Sequence, residues 1–436
     1  MDALPRLTAE QTAERLGVKL ETLYAYVARG KLARDRTADG SSFDPLEVER
    51  FAAARRRRSA PGSPATGRSD GRPLMVIETT FALIEDGDLV YRGRRAVELA
   101  REPFENVARW ALTGAWDADA RFSPGAGMAA ARRAADALPA SAGDRDRQLI
   151  AVTALAAADP LRTSLDPATV AGAAERMVAG MVSVLPVVGG GDGASETDDD
   201  PLALRLHRRL APTAPTQSAV DILNAALVLL IDHDLAVSTL AARAAASARA
   251  TPYGVVIAGM GALDSPLHGN ASRAAHRLLA RVVAGEDPAR VVADAVVAGS
   301  GGPVPGFGQP LYPDGDPRAR ALLDLLAAAA SAAPVLSAVE AVSALLRDRA
   351  GAHPNIDLAL GALTLAHGMR DDAGEVIFAT ACDRLRGARR RRVRRTAPPA
   401  APRRPLHRPA LGMRVLRLGT SAAARAGADV PGGRGR

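Results

Sequence analysis

Five side chains between positions 233 and 357 are of the types that can do chemistry: His233, His268, Gln309, Arg318 and Asp357. Gln309 and Arg318 share one run, PGFGQPLYPDGDPR, at 305–318. Its glycines supply backbone angles closed to other residues and its aspartates cap their own neighbours, so the run must turn sharply. A turn of this kind aims a neutral amide and a permanent cation into one place, and the planar guanidinium fork suits a carboxylate. Taken alone, the run fits a Gly/Pro loop without chemistry better than a site. His233 lies in LLIDHDLAVSTLAARAAAS at 229–247, between Asp232 and Asp234, either of which can raise an imidazole pKa and hold its tautomer. A histidine beside aspartates also serves as a surface or capping residue. In DSPLHGNASRAAHRLL at 264–279, Pro266 breaks the preceding helix and Gly269 lets the backbone pass close to a ligand next to His268. In PNIDLALGALTLAHGM at 354–369, Asp357 stands among Ile356, Leu358 and Leu360. Desolvation there disfavours its charge, which suits a general base.

The elements that must position these groups are helices. The chain has 436 residues, enough for two or three domains, with aromatics at 3% and little alternation of β-branched and polar residues. An all-α body is expected. The single cysteine, Cys382, excludes an intramolecular disulfide framework and a cysteine-based metal site, and fits a reducing cytoplasm. No charged-then-apolar leader is visible and no apolar run approaches about 18 uninterrupted residues, so a soluble, cytoplasmic protein is expected.

The net charge of +8 and the isoelectric point near 10.4 suggest nucleic acid until the charge is located. From residue 383 onward sixteen arginines face Asp383 and Asp429, which leaves the rest of the chain net acidic. The N-terminal stretch carries a separate signature. In LTAEQTAERLGVKLETLYAYVARGKLA, Ala13, Leu16, Val18, Leu23 and Val27 fall at helical spacing on two short helices with Gly17 between them. Thr22, Tyr24, Tyr26 and Arg29 then lie on or near the second helix, where a groove-reading helix needs polar and basic groups. A hairpin with Asp39-Gly40 at its tip and a helix begun by Asp44-Pro45 come next. This N-terminal pattern resembles an excisionase-like or MerR-like winged helix-turn-helix. It fits a small protein-docking module as well, because its net charge is modest.

Beyond the N-terminal stretch, the segments resemble those of bacterial citrate synthases. The resemblance covers about residues 75–379: Glu78-Thr79, then Tyr91-Arg92-Gly93, then Leu112, Gly114 and Trp116, and after these the segments around His233, His268, position 309, Arg318 and Asp357, all in the family's order. It implies a homodimer of helical subunits with a large and a small domain, and condensation of acetyl-CoA with oxaloacetate to citrate and CoA, an acyltransferase reaction with acetyl-CoA as co-substrate and neither cofactor nor metal. It assigns His233 and Arg318 to oxaloacetate, His268 to the enolate of acetyl-CoA, Asp357 to proton removal, and position 309 to the ketone oxygen. Two residues depart from the pattern. Asn270 replaces the second glycine of the Pro-Leu-His-Gly-Gly motif, and Gln309 stands where the family has a catalytic histidine. An amide donates a hydrogen bond but cannot deliver a proton at neutral pH, so slow condensation is expected. The alternatives are a DNA-binding regulator that senses a carboxylate or an acyl-CoA, and a 2-methylcitrate synthase.

The expected organisation is a winged helix-turn-helix-like domain at 1–58, a flexible linker at 59–73, a large domain at 74–268 completed by 367–382, a small domain at 269–366, and an Arg/Pro-rich disordered tail at 383–436. The acidic stretch at 189–201 reads as an exposed loop. The resemblance stops after EVIFA at 375–379. The arginine-rich sequence beyond it fits a change of reading frame near codons 380–386 of a GC-rich gene, which resequencing there tests.

Overall fold

A computed structural model of the chain describes residues 5–37, 40–59, 81–85, 87–188, 197–233, 236–265, 270–298 and 303–381. The N-terminal part contains β1 (Leu7–Thr8), α1 (Ala9–Leu16), α2 (Leu20–Ala28), β2 (Asp35–Thr37), β3 (Gly40–Phe43) and α3 (Pro45–Ser59). Local chemistry sets these boundaries. Thr8 and Gln11 form a reciprocal capping box at the start of α1, and Gly17, at φ 61°, ends it in the left-handed conformation. Asp44 accepts from the amide of Leu46 at 2.8 Å and Pro45 opens α3. Strands β2 and β3 pair antiparallel with Thr37 opposite Gly40, and β1 adds to the other edge of β3. The two tip residues, 38 and 39, lie outside the described residues.

A second antiparallel sheet joins β4 (Ala82–Glu85), β5 (Asp88–Tyr91) and β6 (Arg94–Arg95), where the sequence reading placed only a strand pair and a helix from Arg94. The remaining elements are helical: α4 (Ala96–Leu99), α5 (Phe104–Thr113), α6 (Met128–Asp136), α7 (Asp144–Ala158), α8 (Pro167–Ser183), α9 (Leu202–Leu210), α10 (Gln217–Leu229), α11 (Val237–Ser247) and α12 (Pro252–Leu263). They continue with α13 (Ala271–Val283), α14 (Pro288–Ala298), α15 (Pro317–Leu326), a 3₁₀ turn (Ala330–Ala332), α16 (Ala333–Ala350), α17 (Ile356–Ala366) and α18 (Ala373–Ala381). The body is mostly helical, as the composition predicts. One helical span, Ala330–Ala350, is long and apolar enough by composition to cross a membrane, but it packs against α3, α13, α14 and α17.

One cluster of buried side chains runs from Leu7, Leu23 and Phe43 in the N-terminal part, through Leu46, Val48 and Ala52 of α3, to Val291, Val296, Val339, Leu358 and Ile377. The N-terminal part is therefore packed onto the body, with α3 lying on α14 and α16. A second cluster joins α7, α8 and α12 through Val152, Met177, Met181, Tyr253 and Met260. Ser59, where the sequence reading starts the linker, is still the last residue of α3; the rest of the linker, the Arg/Pro tail expected from the sequence, and Cys382 lie outside the described residues, as does most of the acidic stretch at 189–201. Its described end is engaged: Asp200 bonds Arg208 at 2.8 Å.

Candidate functional site

Tyr91, at the end of β5, is fully buried and its ring stacks on Phe81 at 4.7 Å. Its hydroxyl lies 3.1 Å from the carbonyl of Asp232 and 3.3 Å from that of Val228, at the exit of α10. The hydroxyl thus fixes the exit of α10. His233 comes next, in irregular backbone between α10 and α11, a correction to the sequence reading, which placed it on a helix. The α10 ladder tightens at its end, where the amides of Leu230 and Ile231 donate to the carbonyls of Leu227 and Val228, both at 3.3 Å. The His233 ring lies 5.4 Å from that of Tyr312, a buried residue of the Gly/Pro run.

The run at 305–318 turns as predicted. Gly306 and Gly308 take φ of 82° and 78°, and a Cβ on Gly306 would stand 2.8 Å from the Cβ of Leu358, so that position demands glycine. The turn is bonded to the approach to α17. The amide of Gly308 donates to the carbonyl of His353 at 2.8 Å, the amide of Asn355 to that of Gly306 at 2.9 Å, and the Asn355 side-chain amide to the carbonyl of Gly308 at 3.1 Å. Gln309 is half-buried, and its side-chain oxygen accepts from the amide of Leu311 at 3.4 Å. Its NH2 group is left to meet a ligand.

Arg318 is buried, and the sequence reading missed what holds it. Asp316 caps α15 by accepting from the amide of Arg318 at 3.0 Å and also grips the guanidinium twice, from Nε at 3.0 Å and from Nη2 at 2.7 Å. The same carboxylate accepts from the amide of Ile356 at 3.1 Å, which ties α15 to the first turn of α17. The Arg318 guanidinium also sits over the Tyr312 ring at 5.6 Å. Burial opposes the charge of Asp316, yet Arg318 and His233 outweigh it and hold this carboxyl below its ordinary range. The signal lay in the Asp-Pro-Arg triplet: an aspartate before Pro at a helix start is a cap, and its second oxygen faces the arginine two residues on.

Asp357 occupies the first turn of α17, whose cap is Asn355. Its carboxylate accepts no hydrogen bond from the described residues. Burial, with a smaller push from Asp316, lifts it to about 6 against the pull of Arg318. The fold therefore gathers His233, Tyr312, Asp316, Arg318 and Asp357, and puts Gln309 on the turn that braces them. His268 lies outside the described residues. The described start of the next segment, Asn270, caps α13 without a side-chain bond. No group of three or more candidate metal ligands occurs among the described residues.

This arrangement coincides with a match to the family model for the citrate synthase C-terminal domain over residues 71–390. The chain belongs to the citrate synthase family. Among family relatives it is 27% identical to citrate synthase of Deinococcus radiodurans over 53% of this chain and 63% of that protein. It is 31% identical to 2-methylcitrate synthase of Shewanella oneidensis over 28% of this chain and 32% of that protein, and 30% identical to citrate synthase of Thermoplasma acidophilum over 38% and 45%. The aligned parts thus span from about a third to under two thirds of these curated relatives' length. In fold, the chain is similar to the Thermoplasma acidophilum citrate synthase in ternary complex with carboxymethyl coenzyme A and oxaloacetate, with a TM-score of 0.60, 22% identity, and coverage of 78% of this chain and 97% of that one. The Thermotoga maritima enzyme gives 0.58 at 19% identity, covering 77% and 96%.

The residues proposed for a nucleic-acid face divide. Tyr24 and Arg29 are exposed and Arg34 sits over the Tyr24 ring at 6.0 Å, whereas Thr22 is half-buried. Tyr26 turns inward onto Phe51, with ring centroids 5.0 Å apart and Arg55 over it. Its ring completes the contact between α2 and α3 and is withdrawn from the outer face.

Proposed function

We propose that the chain condenses an acyl-CoA, acetyl-CoA in the first instance, with oxaloacetate, and that it does so slowly. The observation that carries this reading is the charge arrangement at Arg318, Asp316 and Asp357. Asp316 neutralises and aims the buried cation, and Asp357 remains a carboxylate that accepts no hydrogen bond from the described residues, lifted to about 6 and therefore basic enough at neutral pH to take a weakly acidic proton. Asp357 removes a methyl proton from the thioester. The enolate carbon attacks the ketone carbon of oxaloacetate, whose carboxylates meet Arg318 and His233, and His268 donates to the enolate oxygen. The former ketone oxygen becomes an alkoxide that needs a proton, and water then cleaves the thioester to release CoA. At position 309 the amide NH2 supplies the hydrogen bond to that oxygen but no proton. The loss is about 10²–10⁴ in rate if a histidine there acts as general acid. As in the family pattern, the working unit is a homodimer.

The test is thiol release with oxaloacetate and either acetyl-CoA or propionyl-CoA, run beside calorimetric titration of oxaloacetate on the native chain and on Gln309→His. Measurable binding, slow release and a gain in turnover with Gln309→His support the reading. Preference for propionyl-CoA assigns 2-methylcitrate chemistry, and absence of oxaloacetate binding refutes the proposal. A second reading is a winged helix-turn-helix that docks on duplex DNA and makes the chain a regulator. It is favoured by the exposure of Lys19, Tyr24, Arg29, Lys31 and Arg36 on α2, its flanking turns and β2, while α3 is the helix spent on the body. Full-length protein that shifts no duplex at low salt excludes it, and a shift that weakens steeply with salt supports it.

A further inference from the structure

We propose that Arg15 and Glu49, which lie outside the family match, are positioning residues for the candidate site: they lock the N-terminal part onto the two helices that lead into the Gln309 turn and into Asp357. The pair is almost wholly buried, with side chains 2% and 3% exposed, and Arg15 donates to Glu49 from Nη2 at 2.8 Å and from Nε at 3.3 Å. Arg15 Nη1 also donates to the carbonyl of Val296 at 3.1 Å. That carbonyl belongs to the last turn of α14, where backbone acceptors have no helical donor and the helix end is electronegative, so a cation from another element stabilises the end. Glu49 sits on α3, which packs against both α14 and α16. Apolar contact alone would dock α3. A desolvated ion pair is a costly addition to such an interface, and what it adds is direction, because charge-assisted bonds fix the position of α1 and α3 along α14.

The two clamped helices are the ones that matter for the site. After α14, the next described segment is the turn that carries Gly306, Gly308 and Gln309. Helix α16 ends at Gly351, at φ 57°, and the chain then runs through His353 and Asn355 into α17 and Asp357. The two segments are bonded to each other by Gly308 to His353 and Asn355 to Gly306, with Phe307 bridged to Pro354. A shift of α14 against α16 must therefore strain the bracket that holds Gln309 beside the first turn of α17. The N-terminal part grips both helices from outside and opposes that shift.

The test uses the full chain with both charges removed together, Arg15→Met/Glu49→Leu, so that neither member of the pair is left as a lone buried ion. Hydrogen exchange is read on ligand-free protein, so its outcome is independent of whether the site condenses an acyl-CoA. The amides of Gly308, Asn355 and Ile356 should exchange at least about tenfold faster than in the native chain, with α7 and α12 unchanged. Faster exchange confined to α1–α3, with those three amides unchanged, would show a merely structural dock and overturn the proposal. Equal acceleration in α7 and α12 would overturn it too, since it would reflect loss of global stability.

Discussion

Replacing Asp357 with asparagine should stabilise the protein at neutral pH while it abolishes proton abstraction. Burial lifts this carboxyl from 3.8 in the unfolded chain to about 6 in the fold. A raised folded-state pKa means that the folded protein binds the proton more tightly. The stability contributed by the protonated acid is therefore fully present below pH 3.8 and is lost as the pH rises through 6. Asparagine stays neutral throughout, so the variant and the native chain should be equally stable below pH 3.8 and diverge above it. At about 1.4 kcal/mol per pKa unit, a shift of this size gives a ceiling of about 3 kcal/mol in favour of the asparagine variant at pH 7.5, and about half of that at pH 5. The carboxylate accepts no hydrogen bond from the described residues, so the substitution breaks no hydrogen bond among them. The side chain is half-buried and sits at a helix N-terminus, which favours a charge, so about 1–2 kcal/mol is the expected value. Urea denaturation of both proteins at pH 4, 5, 6 and 7.5 measures it, with thiol release recorded in parallel and expected to fall by about 10²–10⁴. If the midpoint difference is independent of pH, or if asparagine destabilises the fold at pH 7.5, Asp357 is not the desolvated base described above.

Gln309→His should raise turnover more than it changes oxaloacetate affinity; native turnover of about 10 s⁻¹ or more would show that position 309 is not the missing proton donor. Gly306→Ala should cost about 2–4 kcal/mol, since it adds left-handed strain to a clash with Leu358. At Gly308, where the space is open, the same change should cost only about 1–2 kcal/mol of backbone strain, and thermal denaturation compares the two. His207 is buried with no hydrogen bond from the described residues to either ring nitrogen, and burial depresses it to about 4. Its contribution is present above pH 6.5 and lost as the pH falls toward 4, so His207→Leu should gain stability relative to the native chain over that window in acid titrations followed by circular dichroism. Light scattering at micromolar concentration should give about twice the chain mass; a clean monomer would count against a site built like the family's.

Much of this protein could be read from local sequence because the governing forces are local. The Thr8–Gln11 capping box, the left-handed Gly17 and the Asp44-Pro45 start of α3 each depend on residues within one turn of helix, and the structure places the Gly17 turn and the α3 start where the sequence did. The Gly306–Gly308 turn was legible for the same reason, and Asp357 stood out because a carboxylate among aliphatic neighbours has no cheap structural use. His233 could not be placed so easily: the exit of α10 just before it is held by a tyrosine that bonds the carbonyl of Asp232 from 141 positions earlier in the chain. Arg318 appeared in the sequence as a cation aimed at a ligand, and only the fold revealed that Asp316 already holds it and ties it to α17. The N-terminal part read as a module on a flexible tether, because linker composition is a local property and docking is not. Its attachment includes a bond from Arg15 to a helix end 281 residues away, a pairing that no periodicity or motif within either segment encodes.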